Sequence, residues 1–190
     1  MLKELVEKSR SYRRFDENHK IEEFTLRELV EMARLTPSAA NLQPLKYMIS
    51  FEPRRNGLIF PHLRWAGYLK DWPGPVEGER PTAYIVIVRD NSIHKGESCD
   101  HGIAAQTILL GAAEKGMGGC IIRNIDMEGL RRDLGIAGHL EVLLVLALGK
   151  PVEVVRMVPV GPDGDMKYWR DEQGVHHVPK RSLEEIIIEQ

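Results

Sequence analysis

Residues 102–126 read GIAAQTILLGAAEKGMGGCIIRNID and join a long apolar segment, a cluster of glycines and the beginning of a strand. Apolar side chains lie on nearly every side of a helix drawn over Gly102–Lys115, which is typical of a helix buried on most of its faces. The glycines end that helix, and Cys120–Ile122 begins a strand. The segment therefore predicts a buried central helix followed closely by a strand.

The rest of the chain favours an α+β fold, because helices and strands follow each other without the regular βαβ alternation of a doubly wound sheet. Strands are predicted at Lys46–Phe51, Ala83–Val88 and Val142–Leu148. Helices are predicted over residues 2–9, 25–36 and 126–134, and a short segment with an apolar face over 183–188. We assign the start of the second helix to Thr25, since Thr25 and Glu28 match a capping box.

Residues 52–81 are predicted to form a lid or insert loop within a single domain that spans residues 1–190. The stretch carries five prolines, four glycines and two of the three tryptophans of the chain. It is too polar and too interrupted to belong to the core, and too aromatic to be a plain linker. Long irregular segments inside compact domains are often lids or binding loops.

The composition is that of a globular protein with no bulk attraction to nucleic acid or membranes. The chain has 26 Lys plus Arg and 28 Asp plus Glu, a net charge of −2, and 43% of its residues are hydrophobic. This near-neutral balance argues against nucleic acid or an anionic membrane surface as a partner. The longest apolar run, Leu140–Leu148, is well below the roughly 20 residues of a membrane-spanning helix.

The N-terminus and the cysteines favour a cytoplasmic location. The first eight residues, MLKELVEK, interleave charges with apolar residues and lack the apolar centre of a secretory signal. Cys99 and Cys120 are too few for a disulfide framework in a chain of this size. We therefore expect a protein of the reducing cytoplasm.

A basic cluster, SRSYRRF at residues 9–15, places Arg10, Arg13 and Arg14 beside two serine hydroxyls. Arginine side chains bind phosphate oxygens through paired hydrogen bonds, and hydroxyl or backbone N–H groups complete such a site. This composition at the end of a helix suits a phosphate monoester. A solvated basic turn explains the same residues, and composition alone favours that simpler interpretation.

A second polar segment, TPSAANLQP at residues 36–44, directly follows the second helix. Asn41 and Gln43 offer hydrogen-bond donors and acceptors on a turn restricted by two prolines, which suits a heterocycle with carbonyl and N–H groups. Local turn chemistry, in which Ser and Asn bond their own backbone, is the simpler explanation when the segment is considered alone.

Other known chemical motifs are missing from the sequence. The glycines at 116–119 lack the third glycine of a dinucleotide fingerprint and follow a helix, which excludes a Rossmann interpretation. Cys99 and His101 form neither a C-x-x-C nor an H-E-x-x-H pattern, so we expect no bound metal. The chain also lacks a G-x-S-x-G element, and no nucleophile is paired with a particular histidine.

Taken together and in this order, the segments resemble the FMN-dependent nitroreductase family. The R-S-x-R-x-F element of that family is matched by Arg10–Phe15, and its P-S-x-x-N-x-Q-P turn by Pro37–Pro44. The long central helix ends in the family's G-x-G pattern at Gly116–Cys120, and Pro179–Glu185 matches its C-terminal basic element. Each motif alone is weak, but the four in the right order cover nearly the whole chain.

The resemblance implies a nitroreductase-like fold, in which helices flank a central, mostly antiparallel sheet. It also implies an intertwined homodimer with two FMN sites at the interface. The FMN phosphate would be bound by Arg10, Ser11 and Arg13, joined by Arg181 from the C-terminal element. Several donors are appropriate there, because the phosphate carries two negative charges.

The same resemblance implies which residues approach the rest of the flavin. Pro37, Ser38 and Asn41 would come from the other protomer, and Gln43 would lie near the ribityl chain or the ring edge. Backbone N–H groups around Arg123 and Asn124 would face flavin N5 and O4, where the hydride arrives.

In this family the flavin carries the chemistry, so the resemblance implies no catalytic acid or base. NAD(P)H reduces the flavin, and an electron-poor acceptor such as a nitroaromatic or a quinone then takes the electrons. Branches of the family that perform reductive dehalogenation or flavin destruction share these motifs and remain alternatives. A flavin electron carrier without a nicotinamide site is another.

Trp65, Tyr68 and Trp72 are our candidates for a substrate lid, because they concentrate in the segment 52–81. An equally good interpretation is that they cover the dimer surface, since aromatic residues are enriched at protein interfaces.

Overall fold

The computed structural model describes residues 1–189 and has a four-stranded antiparallel sheet at its centre. Its strands are β1 (Leu45–Ser50), β2 (Ala83–Asp90), β3 (Gly118–Ile122) and β4 (Leu140–Gly149). They lie in the order β1-β2-β4-β3, so β2 and β4 occupy the middle and the other two form the edges. The strands predicted from the sequence are confirmed, with β3 beginning two residues before Cys120.

The two middle strands are buried on both faces, which explains their nearly continuous apolar sequences. They pair along their whole length, from Ala83 opposite Leu148 to Asp90 opposite Leu140. Side chains alternate along a strand, so Ile85 belongs to one core and its neighbour Tyr84 to the other. The sheet therefore separates two hydrophobic cores.

Helices cover both faces of the sheet, which confirms the predicted α+β fold. On one face lie α2 (Glu23–Arg34) and α4 (Asp100–Glu114), and on the other lie α3 (Pro53–Ile59) and α5 (Met127–Leu134). The central helix α4 is buried along most of its length, as its apolar sequence predicts. The cap predicted for α5 is also present, because the Asp126 side chain accepts a hydrogen bond from the Gly129 N–H at 3.1 Å.

The predicted start of α2 at Thr25 is wrong. The helix begins at Glu23, and Glu22 before it has an extended backbone. Ile21 and Leu26 flank this start and are both buried in the same core, in the positions of a hydrophobic staple. Apolar contacts on either side of the first turn thus determine where α2 begins, and a polar capping box does not.

The prediction that residues 52–81 lie outside the core is wrong for the first part of the segment. Residues 53–62 form α3 and a 3₁₀ turn, Phe60–His62. Ile59 and Leu63 are 1% and 4% exposed and belong to the second core. Pro53 occupies the first turn of α3, where a backbone N–H has no partner within the helix. Residues 64–81 have no helix or strand, as expected for a loop.

An N-terminal arm, residues 9–15, follows α1 (Leu2–Lys8) and crosses the end of the sheet. The Tyr12 N–H donates to the Gly119 carbonyl at 3.0 Å. Phe15 is fully buried and lies so close to Gly149 that a Cβ there would be 2.7 Å from its ring. A glycine at the end of β4 is therefore required for the arm to pack where it does.

The C-terminal part of the chain forms a second sheet beside this arm. Its strands are β5 (Val155–Pro159), β6 (Trp169–Arg170) and β7 (His176–Lys180), in the order β5-β7-β6. The short helix α6 (Leu183–Ile186) follows. Within residues 1–189, no helix is both long enough and apolar enough to span a membrane.

Candidate functional site

The N-terminal arm and the C-terminal sheet enclose a cavity of about 310 Å³, which we call the cationic pocket. Arg10, Ser11 and Arg13, all predicted to bind a phosphate, line it together. His176 and Lys180 come from the C-terminal sheet, and Tyr168 directly precedes its strand β6. The structure does not bring Arg181 into this pocket: its Nε donates to Met166 Sδ at 3.2 Å, and Lys180 is the C-terminal cation that lines the cavity.

Contacts from both ends of the chain hold the guanidinium of Arg13 in place. It lies over the Tyr168 ring, 5.0 Å from the ring centroid. Its Nη1 donates to the Ser11 carbonyl at 3.2 Å and lies 3.3 Å from His176 Nε2. Such contacts reduce the freedom of the side chain, so the remaining N–H groups are preorganised for an anion.

A buried carboxylate, Glu153, accepts hydrogen bonds from the backbone of the same arm. Glu153 is 8% exposed and accepts hydrogen bonds from the backbone N–H groups of Arg13 and Arg14. Arg170 Nη2 donates to its other oxygen at 3.0 Å. The carboxylate is therefore paired and satisfied, as a buried charge must be.

His176 is buried and neutral at ordinary pH. Burial and the nearby charges of Arg13 and Arg170 lower its pKa to about 4. A neutral imidazole has one acceptor nitrogen, so Nε2 can accept the hydrogen bond from Arg13. Nδ1 is buried and has no hydrogen-bond partner among residues 1–189.

A smaller cavity of about 150 Å³ lies on the other side of Arg13, and we call it the strand pocket. It is lined by Arg64, Trp65 and the end of β3 through Arg123 and Asn124. The Arg64 N–H donates to the Asn124 carbonyl at 3.0 Å, which ties the loop segment to the residues after the strand. Arg13 borders both pockets, so the predicted residues of the arm and those at 123–124 do lie side by side.

The predicted turn at residues 37–43 is built on the N-terminus of α4. The Ser38 hydroxyl donates to Asp100 at 2.5 Å, and the Ala39 N–H donates to the same carboxylate at 3.1 Å. Burial opposes the ionisation of Asp100, but these hydrogen bonds outweigh it and hold the pKa of the carboxyl below its usual value. The Gln43 N–H in turn donates to the Ser38 hydroxyl at 2.9 Å, so one carboxylate organises the whole turn.

This turn has a strained backbone. Ala40, Asn41 and Gln43 have φ angles of 48°, 56° and 51°, in the left-handed region. Such residues cost about 1–3 kcal/mol each and cluster at ligand-binding sites. The amides of Asn41 and Gln43 bond each other at 3.0 Å and are exposed at the surface. Within one chain, the turn lines neither the cationic pocket nor the strand pocket.

The three aromatic lid candidates connect residues 64–81 to the rest of the site. Trp65 lines the strand pocket and packs over Gly74, where a Cβ would be 2.6 Å from its ring. The Tyr68 ring lies 4.9 Å from the ring of Tyr168. Trp72 lies 4.7 Å below the guanidinium of Arg170. Through Tyr168 and Arg170 this segment packs on the C-terminal sheet beside the cationic pocket.

Sequence reasoning missed several residues that build the site. They are Arg64, Asp100, Glu153, Tyr168, His176 and Lys180. Only Lys180 could have been identified from the sequence, because it belongs to the same basic element as Arg181. The others are single residues whose partners are distant in sequence. Among residues 1–189, no cluster of three or more His, Cys, Asp or Glu side chains is arranged to hold a metal ion.

The sequence was compared with models of known protein families, and one family matches. The model of the nitroreductase family matches residues 6–56 and 77–150, more than half of the chain. The match includes the arm, the turn at 37–43 and all four strands of the central sheet. A search of curated proteins found no match.

Solved structures of similar fold agree with that match. A nitroreductase family protein from Clostridium novyi NT is 21% identical, with a TM-score of 0.67 over 99% of both chains. An FMN-dependent nitroreductase from Clostridium difficile R20291 is 24% identical, with a TM-score of 0.63 over 78% of this chain and 87% of that one. CLA-ER, an enone reductase of gut-bacterial fatty acid saturation, is 18% identical, with a TM-score of 0.66 over 80% and 89%.

The lowered pKa of His176 predicts a loss of stability in mild acid. The unfolded chain takes up a proton near pH 6.5, whereas the folded protein takes it up only near pH 4. The free energy of unfolding should therefore fall as the pH drops through this window. We expect His176→Gln to show a smaller fall, because glutamine does not titrate. Urea unfolding at a series of pH values measures the effect.

The exposed His139 provides the matched control, since His139→Gln should leave the pH dependence of the wild type unchanged. An equal fall in stability for wild type and His176→Gln would mean that His176 does not cause the pH dependence.

Proposed function

The chain belongs to the nitroreductase family, and from this membership we propose that it is an FMN-dependent oxidoreductase. It transfers a hydride from NAD(P)H, through flavin N5, to an electron-poor acceptor such as a nitroaromatic or a quinone. The observation that carries the proposal is the cationic pocket, in which Arg10, Ser11, Arg13 and Lys180 converge from both ends of the chain.

The residues of the cationic pocket fit the phosphate of FMN. Three cationic side chains and three hydroxyl-bearing residues line a single cavity, and a phosphate monoester carries nearly two negative charges at neutral pH. Arg10 Nε is buried and has no hydrogen-bond partner among residues 1–189. A buried donor without an acceptor is costly, so an anion in this pocket would relieve an unfavourable arrangement.

The chain's own residues bind and orient the cofactor in this proposal. Tyr168 and His176 keep the Arg13 guanidinium directed at the phosphate, while Glu153 fixes the backbone of the arm. On the far side of Arg13, the backbone around Arg123 and Asn124 would contact the ring. When bound, FMN supplies the redox chemistry by accepting the hydride and passing electrons to the acceptor.

The acceptor would enter beside residues 64–81. Trp65 borders the strand pocket, and Tyr68 and Trp72 pack on the C-terminal sheet next to it. Of these three side chains, Trp65 lines the strand pocket, and its ring would contact an electron-poor acceptor. An enone, the substrate class of CLA-ER, is also planar and electron-poor, so it joins nitroaromatics and quinones as an acceptor to test.

We further propose that the protein works on small molecules in the cytoplasm. Its net charge of −2 gives no bulk attraction to nucleic acid or anionic membranes. Both cysteines are unpaired, and Cys99 is exposed, which suits a reducing compartment.

The site is completed by a second copy of the chain in this proposal. Pro37, Ser38, Asn41 and Gln43 belong to a turn that lines neither the cationic pocket nor the strand pocket of its own chain, and the exposed Asn41 and Gln43 have left-handed backbones. Turns with left-handed non-glycine residues occur where a ligand is contacted. A partner's turn would supply those contacts to the flavin, as the resemblance to the family implies.

Two unpartnered surfaces support such a homodimer. A groove of about 1030 Å³ runs between α2 and the open edge of β1, with Phe24, Val30 and Tyr47 among its apolar residues. Its charged residues are largely paired with one another, Arg34 with Glu31 and Lys115 with Glu28. The C-terminal segment 183–188 exposes Leu183 and Ile186–Ile188 and carries acidic neighbours. The two surfaces match in hydrophobicity, so each could cover the other in a dimer.

The function is tested by the absorbance spectrum of the purified protein, followed by anaerobic addition of NADH and then NADPH. We expect flavin bands that bleach with a pyridine nucleotide and recover when a nitroaromatic, a quinone or an enone is added. Flavin that stays oxidised with both nucleotides would contradict the reductase and favour an electron carrier. A colourless protein that does not bind added FMN would contradict the proposal altogether.

Arg13→Gln should weaken FMN binding by about 10- to 100-fold, the range for losing a charge-assisted hydrogen bond. Riboflavin, which lacks the phosphate, should bind wild type and variant equally. Fluorescence titration of the apoprotein with each flavin measures both constants. Arg54→Gln removes an exposed arginine on α3 and should change neither. An equal loss for FMN and riboflavin would mean that Arg13 does not bind the phosphate.

Ile187→Glu should dissociate the homodimer, because it places a charge on the apolar C-terminal segment that we assign to the partner's groove. Sedimentation velocity measures the change in mass. Leu58→Glu introduces the same charge on α3, which packs on the opposite face of the sheet from the groove, and should leave the dimer intact. A wild-type monomer, or a dimer that tolerates Ile187→Glu, would contradict this arrangement.

A further inference from the structure

A second cavity of about 310 Å³ lies between α3 and the start of β2, and we call it the Tyr84 cavity. Its charged and aromatic lining residues are Glu17, Lys20, Phe51, Phe60, Arg80 and Tyr84. None of its lining residues belongs to the cationic pocket or to the strand pocket. The cavity is therefore separate from the proposed redox site, and its volume is at the small end of the range for ligand pockets.

The hydroxyl of Tyr84 is a hydrogen-bond donor at this cavity. Tyr84 is 1% exposed and lines the cavity, and its hydroxyl is not one of the buried polar atoms that lack a partner among residues 1–189. Burial raises the pKa of Tyr84 well above its usual value, so the hydroxyl keeps its proton. A protonated hydroxyl that lines a cavity can donate a hydrogen bond to a ligand held there.

Arg80 presents a second set of donors, which are unused. Its guanidinium lies over the Phe60 ring, 4.8 Å from the centroid, and the buried Nε has no partner. Within the described residues, the side chain makes no ion pair and no hydrogen bond. Stacking on a ring occupies the face of a guanidinium and leaves the N–H groups at its edge available to a carboxylate.

The charges around the cavity favour a ligand with one negative charge. Lys20 and Arg80 contribute two positive charges, and Lys20 has no ion-pair partner among residues 1–189. Glu17 is the single acidic residue of the lining, and its carboxylate accepts hydrogen bonds from the backbone N–H groups of Gly78 and Arg80. One positive charge thus remains without compensation.

We propose that the Tyr84 cavity binds a small aromatic monocarboxylate. Arg80 and the Tyr84 hydroxyl donate to its carboxylate, and Phe51 and Phe60 contact its ring. The Phe60 ring also lies 6.0 Å from the ring of Trp65, which borders the strand pocket. A ligand in the cavity therefore contacts a side chain that packs directly against the wall of the proposed redox site.

The test is calorimetric titration of the purified protein, carrying its flavin, with benzoate. We expect binding that Arg80→Gln weakens by about tenfold or more, and Tyr84→Phe by about threefold to tenfold, since an ion pair contributes more than a single hydrogen bond from a neutral donor. Arg55→Gln removes an exposed charge from α3 outside the cavity and should leave the affinity unchanged. Benzamide, which is neutral and of the same shape, should bind more weakly than benzoate.

A steric variant tests the location independently of these donors. Gly57 lines the cavity, and nothing lies within 4 Å of a Cβ built there. Gly57→Leu should fill the cavity and abolish benzoate binding while the helix is retained, because leucine favours a helix more than glycine does. Unchanged circular dichroism and flavin content in each variant establish that the fold is intact.

Three results would overturn the proposal. The first is no binding of benzoate by the wild type. The second is an affinity that neither Arg80→Gln nor Gly57→Leu alters. The third is binding that perturbs the flavin spectrum and depends on Arg13 while the Arg80 variant binds normally, because the anion would then occupy the redox site.

Discussion

The packing of Phe15 against Gly149 is the contact on which the candidate site depends. It holds the N-terminal arm across the end of the sheet, where the hydrogen bond from Tyr12 to Gly119 fixes its direction. With the arm in this position, Arg10 and Arg13 face the C-terminal sheet. The fold thereby brings side chains from the two ends of the chain into one cavity, although 163 positions separate Arg13 from His176.

The parts of the fold that could be predicted are those determined by local apolar patterns. The strands at 83–88 and 142–148 and the helix over 102–115 carry enough buried side chains for their sequences to identify them. Two predictions failed where a tertiary contact competed with a local signal. Ile21 and Leu26 set the start of α2 in place of Thr25, and the burial of Ile59 draws a proline-rich segment into the core.

The candidate site could be predicted only in part, for a similar reason. Arg10, Ser11 and Arg13 are close in sequence and form a recognisable cluster, and the structure does bring them together. Asp100 and Glu153 bind the turn and the arm through hydrogen bonds to residues more than 60 positions away. No local pattern marks a lone carboxylate of this kind, so its role becomes visible only when the chain is folded.

The close approach of three cationic side chains in the cationic pocket bears on how fast the protein is degraded in the cell. Arg10, Arg13 and Lys180 repel one another when no anion lies between them, and they join the first residues of the chain to the last strand. A bound phosphate would remove this repulsion and stabilise the folded arrangement in which the arm contacts the C-terminal sheet. The supply of cofactor would then govern not only activity but also how quickly the chain ends open to proteases, and so how much enzyme a cell retains.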